Sequence, residues 1–153
     1  MNDDAKKRYE YLKKKQQEQI KLNKWQHNNL FMEFVQNVHE IDIISDDEYK
    51  LLIERLSDSI SFYSSGHINW NDSKCKKLKV TYLELSDYID ISKDYFVIWD
   101  NYDLPVVKCK LQSIINNVDD MEAVAFSYLI ISDDFKVIME SEKFGFLNMC
   151  IIE

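Results

Sequence analysis

Residues 95–140 constrain this chain more than any other stretch, because three or four strand-like apolar runs there enclose one short helix-like run. Residues 95–99, Tyr-Phe-Val-Ile-Trp, are apolar on both faces and belong inside a sheet rather than at its edge. Residues 100–104 make a turn, since short Asp and Asn side chains bond back to their own backbone. Pro105, the chain's one proline, suits the first position of the returning strand, where its missing N–H costs least. Residues 106–111 form that strand, antiparallel to the first. Leu111, Ile114, Ile115 and Val118 then follow the spacing of a short helix packed on one sheet face. Asp119 and Asp120 are expected in the turn before a strand over 123–131. Ser132, Asp133 and Asp134 make a hairpin turn returning as 135–140, and 144–152 supply a final strand.

The chain before this stretch reads as helix. Residues 6–24 are Lys/Gln/Glu-rich, with Tyr9, Leu12, Ile20 and Leu22 scattered rather than aligned, so an exposed helix is expected. From Asn28 the period changes: Leu30, Phe31, Phe34, Val35 and Val38 share one apolar face. Ser45 with Glu48 three residues on is a capping box, and Tyr49, Leu52, Ile53, Leu56 and Ile60 line the inner face of the helix it starts. Residues 62–67 are turn-rich, and the segment to Lys79, with Asp72 and Lys74, is the expected seam between helices and sheet. Thr81 caps a further short helix with Tyr82, Leu85, Tyr88 and Ile89 inward. Helices first and a mostly antiparallel sheet after them give an α+β fold, with N-terminal helices packed on a sheet of about four to five strands and one inserted short helix. Residues 1–25 form an exposed basic helical extension, and residues 26–153 a single domain.

Several function classes drop out. With only Gly66 and Gly145, far apart, no phosphate-cradling loop or dinucleotide fingerprint can be written. The N-terminus has no apolar secretory core and no run of 18 apolar residues exists, so a soluble cytoplasmic protein is expected. Cys75, Cys109 and Cys150 are odd in number and never paired as Cys-x-x-Cys, which reads as free thiols in a reducing compartment. His39, with no second ligand at metal spacing, reads as a favourable charge at a helix C-terminus or a surface residue, and His67, a lone histidine on a loop beside Asn69 and Asp72, reads as a surface residue rather than part of an active site. Charge is the unusual bulk property. Residues 1–25 hold eight Lys/Arg against four Asp/Glu, while the remaining body holds eleven against 23. An acidic body disfavours nucleic acid and suits a basic partner reached by electrostatic steering.

The central residues also carry a resemblance. Ile98-Trp99, then residues 100–103, then Leu104-Pro105-Val106-Val107, then Leu111, Ile114, Ile115, Asn117 to Asp120, Ala123 to Phe126, and Val137-Ile138-x-Glu140 together resemble the core pattern of bacterial contact-dependent growth inhibition immunity proteins. The likeness covers about residues 95–140 and departs after Glu140, where this chain runs Ser-Glu-Lys-Phe-Gly-Phe. It implies an immunity-like domain that binds a toxin's basic C-terminal domain, a nuclease, in the cytoplasm, with no membrane partner and no nucleic acid on the acidic body.

On that reading the exposed carboxylates of the turns recognise the toxin, with aromatics as anchors: Asp100, Tyr102 and Asp103, Asp119 and Asp120, Asp133 and Asp134, and Glu140 and Glu142 on the last strands. No catalytic residue, cofactor or metal site is assigned. An enzyme built on Asp119-Asp120 or Asp133-Asp134 is the poorer fit, because adjacent residues on a strand point to opposite faces and no nucleophile stands nearby. The alternative is a nucleic-acid-associated or regulatory protein acting through its basic N-terminal helix.

Overall fold

Side-chain caps set the helix starts. The computed structural model describes residues 2–71, 75–101 and 103–152, without the side chains of residues 17–24 and 144; Tyr102, Asp72, Lys74 and the side chains of Ile20 and Leu22 therefore lie outside the described residues. Asn2 Oδ1 accepts from the Ala5 N–H at 2.8 Å, and α1 (Asp3–Gln26) follows. Its described side chains face solvent until Trp25, which is buried. Asn28 caps α2 (Asn29–Asn37) by accepting from the Phe31 N–H, and Ser45 caps α3 (Asp46–Ser59) by accepting from the Glu48 N–H.

The strands are β1 (Asp42–Ile43), β2 (Leu78–Thr81), β3 (Asp94–Trp99), β4 (Val107–Lys110), β5 (Tyr128–Ser132), β6 (Val137–Ser141) and β7 (Phe146–Ile151). Among the described residues they form one sheet in the order β1-β4-β3-β5-β6-β7-β2, with every neighbour antiparallel. The fold is α+β as expected, with more strands than the sequence showed. The two that went unread, β1 and β2, are the edges. Each is short and largely exposed, so neither carries the apolar run that marks an interior strand.

Period-two alternation splits the core between the sheet's faces. Tyr95, Val97 and Trp99 of β3 join Tyr128, Ile130, Met139 and Met149 on one face, under α2, α4 (Leu111–Ile115), α5 (Val118–Val124) and the 3-10 turn Tyr82–Asp87. Aromatic rings run through this layer edge to face: Trp25 on Phe31 at 5.7 Å, Phe34 on Trp99 at 5.4 Å, and Trp99 on Tyr128 at 6.0 Å. Phe96, Ile98, Leu129, Ile131 and Ile138 point the other way, where α3 and residues 60–68 cover them through Leu52, Leu56, Ile60 and Ile68.

Four expectations change. Asp119 and Asp120 do not sit in a turn before a strand over 123–131; they occupy the first turn of α5, where acidic groups meet the positive end of the helix, and β5 begins only at Tyr128. Met121 and Val124, three apart, give that helix its buried side, and Phe126, which mimicked a strand alternation, is fully exposed. Leu30 is half exposed because Phe31, Phe34 and Val38 already fill the inward stripe of a nine-residue helix, and Tyr88 falls outside the 3-10 turn and faces solvent. Finally, Cys75 and Cys150 are not free thiols. They form a disulfide with Cα atoms 5.7 Å apart, whereas Cys109 is free and buried, its thiol pushed up to about 12 by burial and by Asp94.

Candidate functional site

The face covered by α3 is incompletely filled. A cleft of about 280 Å³ opens between α3, residues 62–67, and the ends of β3 and β5. Ile53, Leu56, Phe62, Leu104 and Pro105 supply apolar wall, while Asp46, Asp100 and Glu140 bring carboxylates to it. Asp100 is held at the mouth because its N–H donates to the Ser127 carbonyl at 2.9 Å, tying the 100–104 turn to the segment before β5. That turn closes as an Asx turn: Asn101 Oδ1 accepts from the Asp103 N–H at 3.0 Å.

Glu140 is the unusual group. It ends the inward row of β6 and is only 8% exposed, paired across the sheet with Leu129 on one side and Asn148 on the other. Residues 67–70 fold over it. The Ile68 N–H donates to Oε2 at 2.9 Å, the Trp70 Nε1–H donates to Oε1 at 3.0 Å, and His67 Nδ1 lies 3.5 Å from Oε2. The carboxylate thus anchors the seam between helices and sheet, while its charge stays at the cleft. Asn148, also buried, has an Oδ1 with no hydrogen-bond donor among the described residues.

The remaining acidic candidates scatter. Asp100, Asp103, Glu140 and Glu142 gather toward one end of the sheet, with Glu142 exposed and 3.6 Å from Lys79. Asp133 and Asp134 sit at the far end, where the Asp133 N–H meets the Asp94 carbonyl. The six residues of β3 separate the two groups by roughly 20 Å. Asp119 is exposed on α5, and Asp120 accepts from Asn37 Nδ2 at 3.0 Å, which ties α5 to α2 on the packed face. Asp134 is engaged inside its own hairpin. Ser132 Oγ and the Lys136 N–H both donate to Asp134 Oδ1, at 2.7 and 3.0 Å, and these two bonds hold its carboxyl below the usual carboxylate range.

Sequence reasoning placed Glu140 among exposed carboxylates, and the structure buries it. The available signal was that Glu140 follows the apolar run Val137-Ile138-Met139 and shares a strand face with Ile138; the structure buries all four. His67, Trp70 and Phe126 were the other residues missed at this end. His67 and Trp70 reach Glu140 across some 70 positions of chain, a contact that no local spacing announces. Among the described residues no group of three His, Cys, Asp or Glu is placed to hold a metal ion, and no helix is long and apolar enough to cross a membrane.

A family model described as "CdiI immunity protein EcoliA0-like" matches residues 28–149, from the Asn28 cap of α2 into β7. The match takes in α2 and α3 as well as the central strands, and leaves α1 outside it. No curated protein matches the chain.

Proposed function

The chain belongs to the CdiI immunity protein family, and from that premise we propose that it neutralises a nuclease toxin in the cytoplasm by binding it, without catalysis of its own. The observation that carries the nuclease reading is charge. Outside residues 1–25 the chain holds 23 Asp/Glu against eleven Lys/Arg. A nuclease must present a basic surface to hold phosphates, so an acidic partner competes for that surface and gains association rate by steering. The exposed carboxylates Asp100, Asp103 and Glu142, together at one end of the sheet, are positioned to contribute to that field.

Residues 1–25 act on this reading as an appended basic helix, and residues 26–153 as the binding domain, with Trp25 joining the two. On this reading the Cys75–Cys150 disulfide meets the glutathione pool of the cytoplasm, and the domain is expected to keep its shape when that bond is reduced.

The test is the affinity of the full-length protein for the C-terminal domain of whatever large toxin-like protein is encoded immediately upstream, measured at two salt concentrations alongside that domain's activity on DNA and RNA. Tight binding that weakens with salt and stops nucleic-acid cleavage is the expected result. Binding that stops some other activity would retain the immunity role and remove the nuclease; no binding would remove the pairing itself.

A further inference from the structure

Glu140 is buried, and among the described residues neither Lys nor Arg is paired with it. A buried carboxylate is costly unless a cation or sufficient donors meet it. This one has two N–H donors, one on each oxygen, and its one ion-pair neighbour among the described residues is the half-exposed His67. An ionised carboxylate offers about four acceptor positions, so among the described residues roughly half of them meet no N–H donor. The described residues lining the cleft in front of it include three carboxylates and neither Lys nor Arg. Tyr49 and Phe62 line it as well, and aromatic faces favour a cation. At about 280 Å³ the cleft is at the lower edge of small-molecule sites, which run to about 300–1,000 Å³, and is ample for one long side chain. Phe126, beside the cleft-lining Ser127, exposes its whole ring to solvent.

We infer that the cleft is a socket for one arginine or lysine side chain of the toxin, seated against Glu140, with Phe126 as the apolar anchor beside its mouth. The inference rests on the toxin-binding reading and adds the surface and the chemistry of what enters it. The incoming cation supplies a permanent countercharge to Glu140, beside the half-exposed His67, and its aliphatic stem lies along Ile53 and Leu104. Such an arrangement places a desolvated charge pair at the centre of an interface next to a large aromatic, the composition of residues that dominate binding energy.

Binding of the upstream-encoded toxin domain to four forms of the full-length protein tests this: wild type, Glu140→Gln, Phe126→Ala and Asp100→Lys. Glu140→Gln should weaken binding by roughly 30-fold or more, chiefly through faster dissociation, and Phe126→Ala by about 10-fold or more. One Lys or Arg of the toxin, replaced by Ala, should weaken wild-type binding to the same degree and add nothing against Glu140→Gln. Folded Glu140→Gln and Phe126→Ala proteins that bind like wild type would remove the cleft while leaving the immunity role standing. Wild type that fails to bind would remove both. Should Glu140→Gln not fold, Phe126→Ala and Asp100→Lys, both at exposed positions, decide the question alone: wild-type affinity in both overturns the socket.

Discussion

The two faces of the sheet are built from the same strands and put to different uses. Toward α2, α4 and α5 the inward residues are large, apolar and sealed: Phe31 and Phe34 are fully buried, and the rings of Trp25, Phe31, Phe34, Trp99 and Tyr128 interlock. Toward α3 the layer is thinner, keeps a cleft, and carries Glu140 and Asn148 where the other face carries Met139 and Met149. One helix and a loop cannot cover a face that three helices cover on the other side. If stability resides mainly in the first layer, the second is free to hold polar groups that a partner can use.

The largest test of that division is Phe34→Ala. Removing a fully buried ring from the sealed face should cost roughly 3–5 kcal/mol, a large part of the about 5–15 kcal/mol that holds such a domain together. Ile53→Ala, on the cleft wall, should cost only about 1 kcal/mol, because its site is already open to solvent. Urea unfolding of both variants gives the comparison, and equal losses would abolish the distinction between the faces.

Next in size is the disulfide. Cys150 stands opposite Ile138 on the thinner face, and its bond to Cys75 closes a loop across a sequence separation of 75. Reduction, or Cys75→Ser, should cost roughly 2–4 kcal/mol through the freed unfolded chain. If the sealed face carries the fold, the reduced protein stays folded and binds toxin unchanged; loss of the tryptophan bands of the near-ultraviolet circular dichroism spectrum on adding dithiothreitol would show that the sealed face, which holds Trp25 and Trp99, depends on the crosslink as well.

The sealed face holds a buried polar contact between the Tyr82 and Tyr128 hydroxyls. Burial pushes both phenols up, Tyr128 to about 12, with Tyr82 raised further by its neighbour. Tyr82→Phe strands a buried hydroxyl and should cost about 1–3 kcal/mol, while Tyr82→Phe with Tyr128→Phe should be closer to neutral. The sign with pH follows from the raised values. Their contribution is fully present below the unfolded phenol value of about 10 and is lost as pH rises through the folded value. Stability of the wild type should therefore fall above about pH 10 more steeply than that of the double variant, with phenolate absorbance appearing only as the chain unfolds.

The sequence announced the sealed face more fully than the thin one, for a physical reason. Helical spacing at Phe31, Phe34 and Val38, the capping residue Asn28, and the apolar run of β3 are local patterns, and each element they imply is present. What escaped was non-local. The edge strands β1 and β2 exist because β4 and β7 offer them partners, and the Cys75–Cys150 bond and the clasp on Glu140 join residues some 70 positions apart. Phe135 is a sharper case: φ of 61° is a conformation that a bulky residue rarely takes, and it is held by packing of its ring on Phe96 and under Arg55. At the cleft, Asp100 was legible as a turn residue, whereas Phe126 was hidden in what looked like a strand.

The smallest effect separates carboxylates that build turns from those available to a partner. Asp134 Oδ1 is already occupied by Ser132 Oγ and the Lys136 N–H, at the end of the sheet away from the cleft. Asp134→Ala should cost within about 0.5 kcal/mol, the ordinary range for an exposed position, and should leave toxin affinity unchanged, while Asp100→Lys at the cleft weakens it. Because its folded value is depressed, the carboxylate's contribution is complete above the unfolded value of 3.8 and is lost as pH falls through the lower folded value. The difference in melting temperature between wild type and Asp134→Ala should therefore be constant from pH 7 to about 5 and shrink as the medium becomes strongly acidic. A difference that persists in strong acid would assign the effect to the shape of the hairpin rather than to its charge, and weaker toxin binding by Asp134→Ala would extend the recognition surface to both ends of the sheet.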